Sequence, residues 1–272
     1  MAGVAGVGIP SGGARAVPPP PVRRVAGSAP VRLVWRNQLG GTTFQVGDGP
    51  GRRFVKWTPV DSGVDLSREI DRLRWAAARV VVPRVLDRGQ DDTGSWMVTA
   101  GLPGSHAASA WWRAEPARAV AAIGTGLRAF HDALPVQGCP FSWSAPARLA
   151  ETRTRAAAGR IDPSGWYAEH RSLTVADALA RLSDAPPVDL AVVCHGDTCP
   201  PNTLLDDDGA PVGHVDLGLL GVADRWADLA VATWSTTWNY GPGWERPLLD
   251  AYGIDPDAER SAYYRLLWQL GP

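Results

Sequence analysis

HGDTCPPN, residues 195–202, sets an aspartate two places after a histidine and an asparagine five places after that aspartate. D-x-x-x-x-N is the spacing of phosphoryl-transfer catalytic loops, in which a carboxylate receives a hydroxyl proton and an amide oxygen holds Mg²⁺. Asp197 and Asn202 fit those two tasks, and Pro200 and Pro201 stiffen the stretch that separates them. So short a pattern arises readily by chance. Its meaning depends on whether the rest of the chain supplies a nucleotide site.

A second metal ligand is to be expected downstream. Between Asn202 and Asp216 runs TLLDDDGAPVGHV, two apolar stretches around an Asp-Gly turn signal. A loop centred on Gly209 sets residue 202 opposite residue 216 and brings Asn202 beside Asp216. Mg²⁺ takes few protein oxygens and completes its shell with water and phosphate, so one amide and one carboxylate suffice. VDLG, with Gly218 two after Asp216, corresponds to the D-F-G of protein kinases. His195 is expected to anchor the loop by hydrogen bonds, and Cys194 and Cys199 to pack, since no companion lies at metal-ligand spacing.

Of the 27 lysine and arginine residues only Lys56 is a lysine. It stands in RRFVKW, an alternating run after TTFQV and a GDGPG turn, so residues 42–57 read as a hairpin. A compact ammonium suits nucleotide phosphates where a broad guanidinium fits differently. In DLSREIDRLRWAAARV, Leu66, Ile70, Leu73 and Ala77 keep helical spacing, with Asp65 as N-cap. Glu69 falls at the edge of that stripe, within reach of Lys56; a surface pair with Arg68 or Arg72 is the competing arrangement. LGGTTF offers Gly40 and Gly41 for a tight turn over phosphates, with Thr42 beside it. VVPRVLD and SWMVTAG complete a five-stranded sheet with one helix, and Thr99 to Gly101 form the hinge whose backbone reads an adenine edge.

Composition narrows the class. A chain of 272 residues, 45% hydrophobic, can hold two lobes, and three cysteines, Cys139, Cys194 and Cys199, are too few for a disulfide framework. Residues 1–30, rich in Ala, Gly, Val and Pro, read as a disordered N-terminal extension. No secretory signal pattern or membrane-length apolar run is seen, so a cytoplasmic protein without a membrane partner is expected. Up to Ala100 there are 14 basic and 8 acidic residues, and from Gly101 onward 13 and 20. The split argues against a nucleic-acid binder with one basic face and suits a phosphate-rich ligand in one lobe with a cationic one in the other. Solvated surface charge gives the same counts.

In HGDTCPPN, VDLGLLGVADRWADLA, the FHDAL…CPF segment at 130–141 and the closing YGI…YYRLL, the chain resembles the aminoglycoside phosphotransferase family, especially the aminoglycoside 3'-O-phosphotransferases. The likeness runs from about Val34 to the C-terminus. It implies an α+β, bilobal, protein-kinase-like fold, with a small β-rich N-lobe over 31–100 and a larger, mainly helical C-lobe over 101–272. It also implies ATP-dependent phosphorylation of an antibiotic hydroxyl, giving resistance, with GTP the alternative donor. Asp197 is then the catalytic base, Asn202 and Asp216 the Mg²⁺ ligands, Lys56 and Glu69 the phosphate pair, and Asp224 and Asp228 structural braces.

The departures concern the acceptor. Leu219 replaces an arginine usual after D-x-G, and Trp268 and Gln269 stand where the family's closing L-D-E-F-F has its two acids. An acid-rich loop is reduced to Asp162 and Glu169 in RIDPSGWYAEH. Each lost charge-assisted hydrogen bond to an ammonium group is worth roughly 1.5–3 kcal/mol, so standard polycations are expected to bind poorly. Asp162, Glu169, Trp268 and Gln269 are the substrate-side candidates, while Trp234, Trp238, Tyr240, Trp244 and Trp268 itself either stack on sugar rings or pack in the core. A protein kinase is disfavoured, because GVADRWADLA follows VDLG with no long activation segment between. A kinase of a less cationic small molecule and a non-catalytic pseudokinase are the alternatives.

Overall fold

Alternation in the first hundred residues becomes a five-stranded antiparallel sheet. The structure, a computed structural model, describes residues 17–37 and 39–271. α1 (Pro20–Ala26) leads into β1 (Val31–Arg36), β2 (Thr42–Val46) and β3 (Arg53–Pro59), followed by α2 (Ser67–Ala76), β4 (Val85–Asp91) and β5 (Gly94–Ala100). The strand order is β1-β2-β3-β5-β4. Period two gives the sheet two unlike faces. On one, Phe44, Val46, Val55 and Val98 pack against Val22 and Ala26 of α1. On the other, Met97 joins Leu66, Ile70 and Leu73 of the α2 segment, and Lys56, directly opposite Met97 and Thr43, shares that face.

The expected disorder over residues 1–30 is corrected in part. Residues 20–26 are helical, and Val22 is fully buried. Proline is tolerated in a first helical turn because its missing N–H has no intrahelical partner there, and its fixed φ suits the helix. Residues 1–16 lie outside the described residues.

The C-lobe begins with β6 (Ser105–His106), α3 (Ala110–Ala114), α4 (Pro116–Ala133), α5 (Ala145–Ala157) and α6 (Val175–Arg181). β7 (Ala191–Cys194), β8 (Thr203–Leu205), β9 (Pro211–His214) and β10 (Gly221–Asp224) follow, then α7 (Trp226–Tyr240), α8 (Glu245–Tyr252) and α9 (Ala258–Gln269). Trp112, Leu127, Trp226, Leu229, Leu248 and Leu267 anchor its core. Gly124 lets α4 lie close on α8, since a Cβ there would meet the Leu248 carbonyl at 2.6 Å. β7 pairs with β10 and β8 with β6 and β9, and these short ladders hold the loops at the mouth of the lobe. Among the described residues no helix is long and apolar enough to cross a membrane.

Candidate active site

The HGDTCPPN loop leaves β7 and is held from below by Asp228 in the first turn of α7. That fully buried carboxylate accepts the N–H of His195 at 2.6 Å and of Gly196 at 2.8 Å, and Nε2–H of His131 donates to it at 3.0 Å. Gly196 has φ +89, and a Cβ there would lie 2.5 Å from that of Leu219, so glycine lets this loop touch the VDLG segment. The Asp197 N–H donates to His195 Nδ1 at 3.2 Å, which leaves Nε2–H to donate to the Val215 carbonyl at 3.0 Å. Burial holds the His195 pKa below its ordinary value, so the ring is neutral and anchors the loop as expected. Asp224 accepts the N–H of Asp189 and of Trp226, each at 2.9 Å, and braces the start of α7. His131, Cys194 and Asp228 cluster, but two of the three are committed to these bonds.

Asp197 Oδ2 accepts from Asn202 Nδ2 at 3.0 Å, and the same amide nitrogen donates to the Asp197 carbonyl at 2.9 Å. With its nitrogen committed, the Asn202 oxygen is left for another partner. Asp197 Oδ1 is buried and takes no N–H or O–H donor, although the Cys199 thiol lies close to the carboxylate. Burial, with the negative charge of Asp216 adding to it, pushes the Asp197 pKa up to about 7.

Asp216 arrives by a register other than the symmetric one. Thr203 pairs with His214, and the Val215 N–H donates to the Asn202 carbonyl at 3.0 Å, so Asn202 faces Val215 and Asp216 lies one residue further on. The Asp206 side chain, which takes the N–H groups of Asp208 and Ala210, closes the turn asymmetrically. Among the described non-glycine residues, Asp216 alone has a left-handed backbone, φ 62. Such strain costs of order 1–3 kcal/mol and gathers at functional sites. In this conformation its Oδ1 lies 2.8 Å from Lys56 Nζ, and Glu69 Oε2 lies 2.7 Å from the same nitrogen. Burial works against the ammonium, but the two carboxylates outweigh it and hold the Lys56 pKa above its ordinary value. Burial lifts Glu69, while for Asp216 the adjacent Lys56 overcomes burial and holds its pKa low. Arg72, the competitor for Glu69, donates to the carbonyls of Leu220 and Arg68 instead. Asp65 accepts from Ser67 N at 2.9 Å, although Leu66 holds the formal cap position.

Three N-lobe expectations fare differently. Thr99 lies opposite Phe54 on the face that carries Lys56. Thr42 does not: it pairs with Trp57 on the outer face and lines a cavity of about 410 Å³ with Pro19, Pro20 and Phe44. A one-residue step in a strand reverses the face, and Thr43 holds the cleft-facing position. The Gly101 N–H donates to the Arg52 carbonyl at 2.9 Å, so of its two backbone groups this one is not a free hinge donor. The Arg52 guanidinium also bonds the carbonyls of Leu102 and Gly104. Phe54, missed in the sequence reading, stands two residues before Lys56 on the same face, where an aromatic ring can meet a nucleobase. The i, i+2 relation in RRFVKW was its signal.

On the acceptor side, Trp268 and Gln269 are 4% and 1% exposed, so the expectation that they meet substrate is corrected. Gln269 Oε1 accepts the Tyr167 N–H at 2.9 Å, and Trp268 packs on Trp234 and Trp238. Both serve as supports, since the last turn of α9 faces inward. Asp162 is exposed and folded onto Ser164 at the start of a short turn. Glu169 lies 3.9 Å from Arg265. Tyr240 donates to the Ala107 carbonyl at 2.7 Å, and Trp244 packs against the C-lobe core.

An amide oxygen and a carboxylate beside a lysine held by a glutamate form a hard-oxygen donor set that suits Mg²⁺ and phosphate. The model of the phosphotransferase enzyme family matches residues 36–264. The chain is 38% identical over 243 residues to the aminoglycoside 3'-phosphotransferase of Streptomyces fradiae, covering 84% of this chain and 90% of that one. Its fold superposes on a solved aminoglycoside 3'-phosphotransferase of type VIII with TM-score 0.78 and 31% identity, covering 92% and 97% of the two chains. It also superposes on the 3''-Id aminoglycoside phosphotransferase of Streptomyces rimosus, solved with ADP and streptomycin, with TM-score 0.74 and 29% identity over 92% and 95%. A family match over most of the length, and a bilobal fold shared with these enzymes, lead to one assignment: the chain belongs to the phosphotransferase enzyme family, in its aminoglycoside phosphotransferase branch.

Proposed function

We propose that this chain transfers the γ-phosphoryl group of ATP to a hydroxyl of an aminoglycoside-type antibiotic and so confers resistance by modification. The observation that carries this reading is the unpartnered Oδ1 of Asp197 in the loop beside the convergence of Lys56, Glu69 and Asp216. Asp197 Oδ1 accepts the acceptor's hydroxyl proton as the oxygen attacks phosphorus. Lys56, positioned by Glu69, holds nucleotide phosphate, and Phe54, Thr43 and Thr99 line the nucleotide side of the sheet. Asn202 and Asp216 would hold Mg²⁺, which supplies charge neutralisation at the phosphates. The solved relative with ADP and streptomycin supports nucleotide and aminoglycoside as the two ligands. The free cysteines Cys139, Cys194 and Cys199 agree with work in the ATP-rich, reducing cytoplasm.

The test is incubation of purified protein with ATP, Mg²⁺ and, in turn, kanamycin, neomycin and streptomycin. ADP release must be matched by a phosphorylated product in the mass spectrum. ATP binding without product for any of these acceptors would remove the aminoglycoside reading and leave a kinase of a less cationic molecule or a non-catalytic nucleotide-binding protein. Repeating the assay with GTP identifies the preferred donor.

A further inference from the structure

Four aromatic side chains gather behind the HGDTCPPN loop. Tyr167 and Trp238 stack with centroids 4.4 Å apart and planes 3° from parallel. Trp234 lies edge-on to Tyr167 at 4.8 Å, and Trp268 lies 5.7 Å from Trp238. The same packed group contains Cys199, two residues after Asp197, so the stack adjoins the loop that carries the unpartnered carboxylate oxygen. Trp234 and Trp268 are buried, whereas Tyr167 and Trp238 are only half-buried and front the group. Burial, with the neighbouring Asp197 carboxylate adding to it, raises the pKa of the tyrosine hydroxyl. The terminal helix braces this pair, with Trp268 backing the stack and Gln269 holding the backbone of Tyr167 at 2.9 Å.

Apart from Asp197 itself, the acids around this group are already engaged. Arg265, almost fully buried and 6.0 Å from the Trp234 ring centroid, bonds Glu245 at 2.6 Å and lies 3.9 Å from Glu169. Asp162 is tied to Ser164. An ammonium group reaching this wall away from Asp197 would therefore meet rings or paired carboxylates. A cation over an exposed ring gains less than one in a charge-assisted hydrogen bond to a free carboxylate. A sugar face bearing C–H bonds, by contrast, buries apolar surface against an aromatic plane without surrendering hydration of a charge.

We infer that Tyr167 and Trp238 form a specificity-determining wall that selects glycosidic acceptors meeting it with an uncharged ring face over those meeting it with ammonium groups. The inference rests on the phosphotransfer reading for what happens next, but acceptor binding alone tests it. Its probes are kanamycin and N-acetylated kanamycin, which keeps the rings and hydroxyls and loses ammonium charge. Calorimetric titration of the full chain, with ADP and Mg²⁺ present, gives the ratio of their affinities. The native protein is expected to bind the acetylated compound about tenfold more tightly, roughly the worth of one aromatic contact. Trp238→Ala abolishes that preference, Trp238→Phe retains most of it, and Trp238→Glu turns it toward kanamycin. A native ratio favouring kanamycin, a ratio unchanged in Trp238→Ala, or no binding of either probe overturns the inference. Product formation is read separately: a Trp238-dependent ratio without phosphorylation of any acceptor leaves the wall standing and removes the phosphotransfer reading.

Discussion

Lys56 and Asp216 are 160 positions apart in sequence and 2.8 Å apart in space. This contact joins the N-lobe sheet to the VDLG segment of the C-lobe, and Glu69 completes it from α2 at 2.7 Å. One ammonium nitrogen thus serves two carboxylates from two lobes, which requires a point charge with rotatable donors.

Lys56→Arg is therefore expected to impair nucleotide use nearly as much as Lys56→Ala. The planar guanidinium cannot place one nitrogen within bonding distance of both Glu69 and Asp216 while reaching phosphate, and misplacement on the scale of 1 Å costs on the order of a hundredfold in kcat/KM. Steady-state kinetics in ATP checks this. An arginine variant with native KM and kcat would mean that the lone lysine has no special role.

Activity should rise with pH through about 7, because burial and Asp216 raise the Asp197 pKa to that value and the base acts unprotonated. Stability carries the opposite sign. Between the ordinary carboxylate pKa of about 4 and the raised value of about 7, the folded state keeps a proton that the unfolded state has released. The contribution of Asp197 to stability therefore falls as pH rises across that window. Asp197→Asn should flatten this part of the curve, as read by urea unfolding at a series of pH values. An identical slope in both proteins would contradict the assigned shift.

Arg148 on α5 is 3% exposed, and none of its three guanidinium nitrogens has a hydrogen-bond partner. Its guanidinium lies 4.3 Å from the Trp143 ring centroid, and burial lowers its pKa to about 10. A buried polar group left unsatisfied costs roughly 1–3 kcal/mol, so Arg148→Met should raise stability by up to about that amount. Denaturant unfolding measures it. A less stable methionine variant would show that the stacked guanidinium contributes net stability.

Restoring acids at the terminus should fail. Trp268→Asp with Gln269→Glu introduces two carboxylates at buried positions and removes the backing of the Tyr167–Trp238 stack. The loss of the indole alone is expected to cost about 3–5 kcal/mol. A double variant with native unfolding midpoint and tighter kanamycin binding would contradict the packing described here.

What was legible in the sequence followed from local spacing. Asp197 and Asn202 share one short loop, and Lys56 and Glu69 stand at period-two and helical positions that bring their elements together. Asp216 was found, but its register was displaced by one residue, because Asp206 organises the turn through backbone bonds that the Asp-Gly signal does not specify. The same sensitivity to a single residue separated Thr42 from Thr43. α1 was hidden by proline-rich composition, although Val22 and Ala26 keep a helical i, i+4 relation. Whether Trp268 and Gln269 meet substrate or pack inside was not decided by local spacing, because burial of a final helical turn is set by distant α7 and the segment around Tyr167.

The most direct measurement is turnover by Asp197→Asn. The amide keeps the shape of the side chain but cannot take the hydroxyl proton, so kcat is expected to fall by roughly 10²- to 10⁴-fold, the usual worth of a positioned general base. The lower end is expected if alignment dominates a dissociative transition state. Mg-ATP affinity and secondary structure should stay native, because Asp228 braces the loop backbone through His195 and Gly196. A variant that phosphorylates its acceptor at the native rate would contradict the central claim that the unpartnered oxygen of Asp197 is the base.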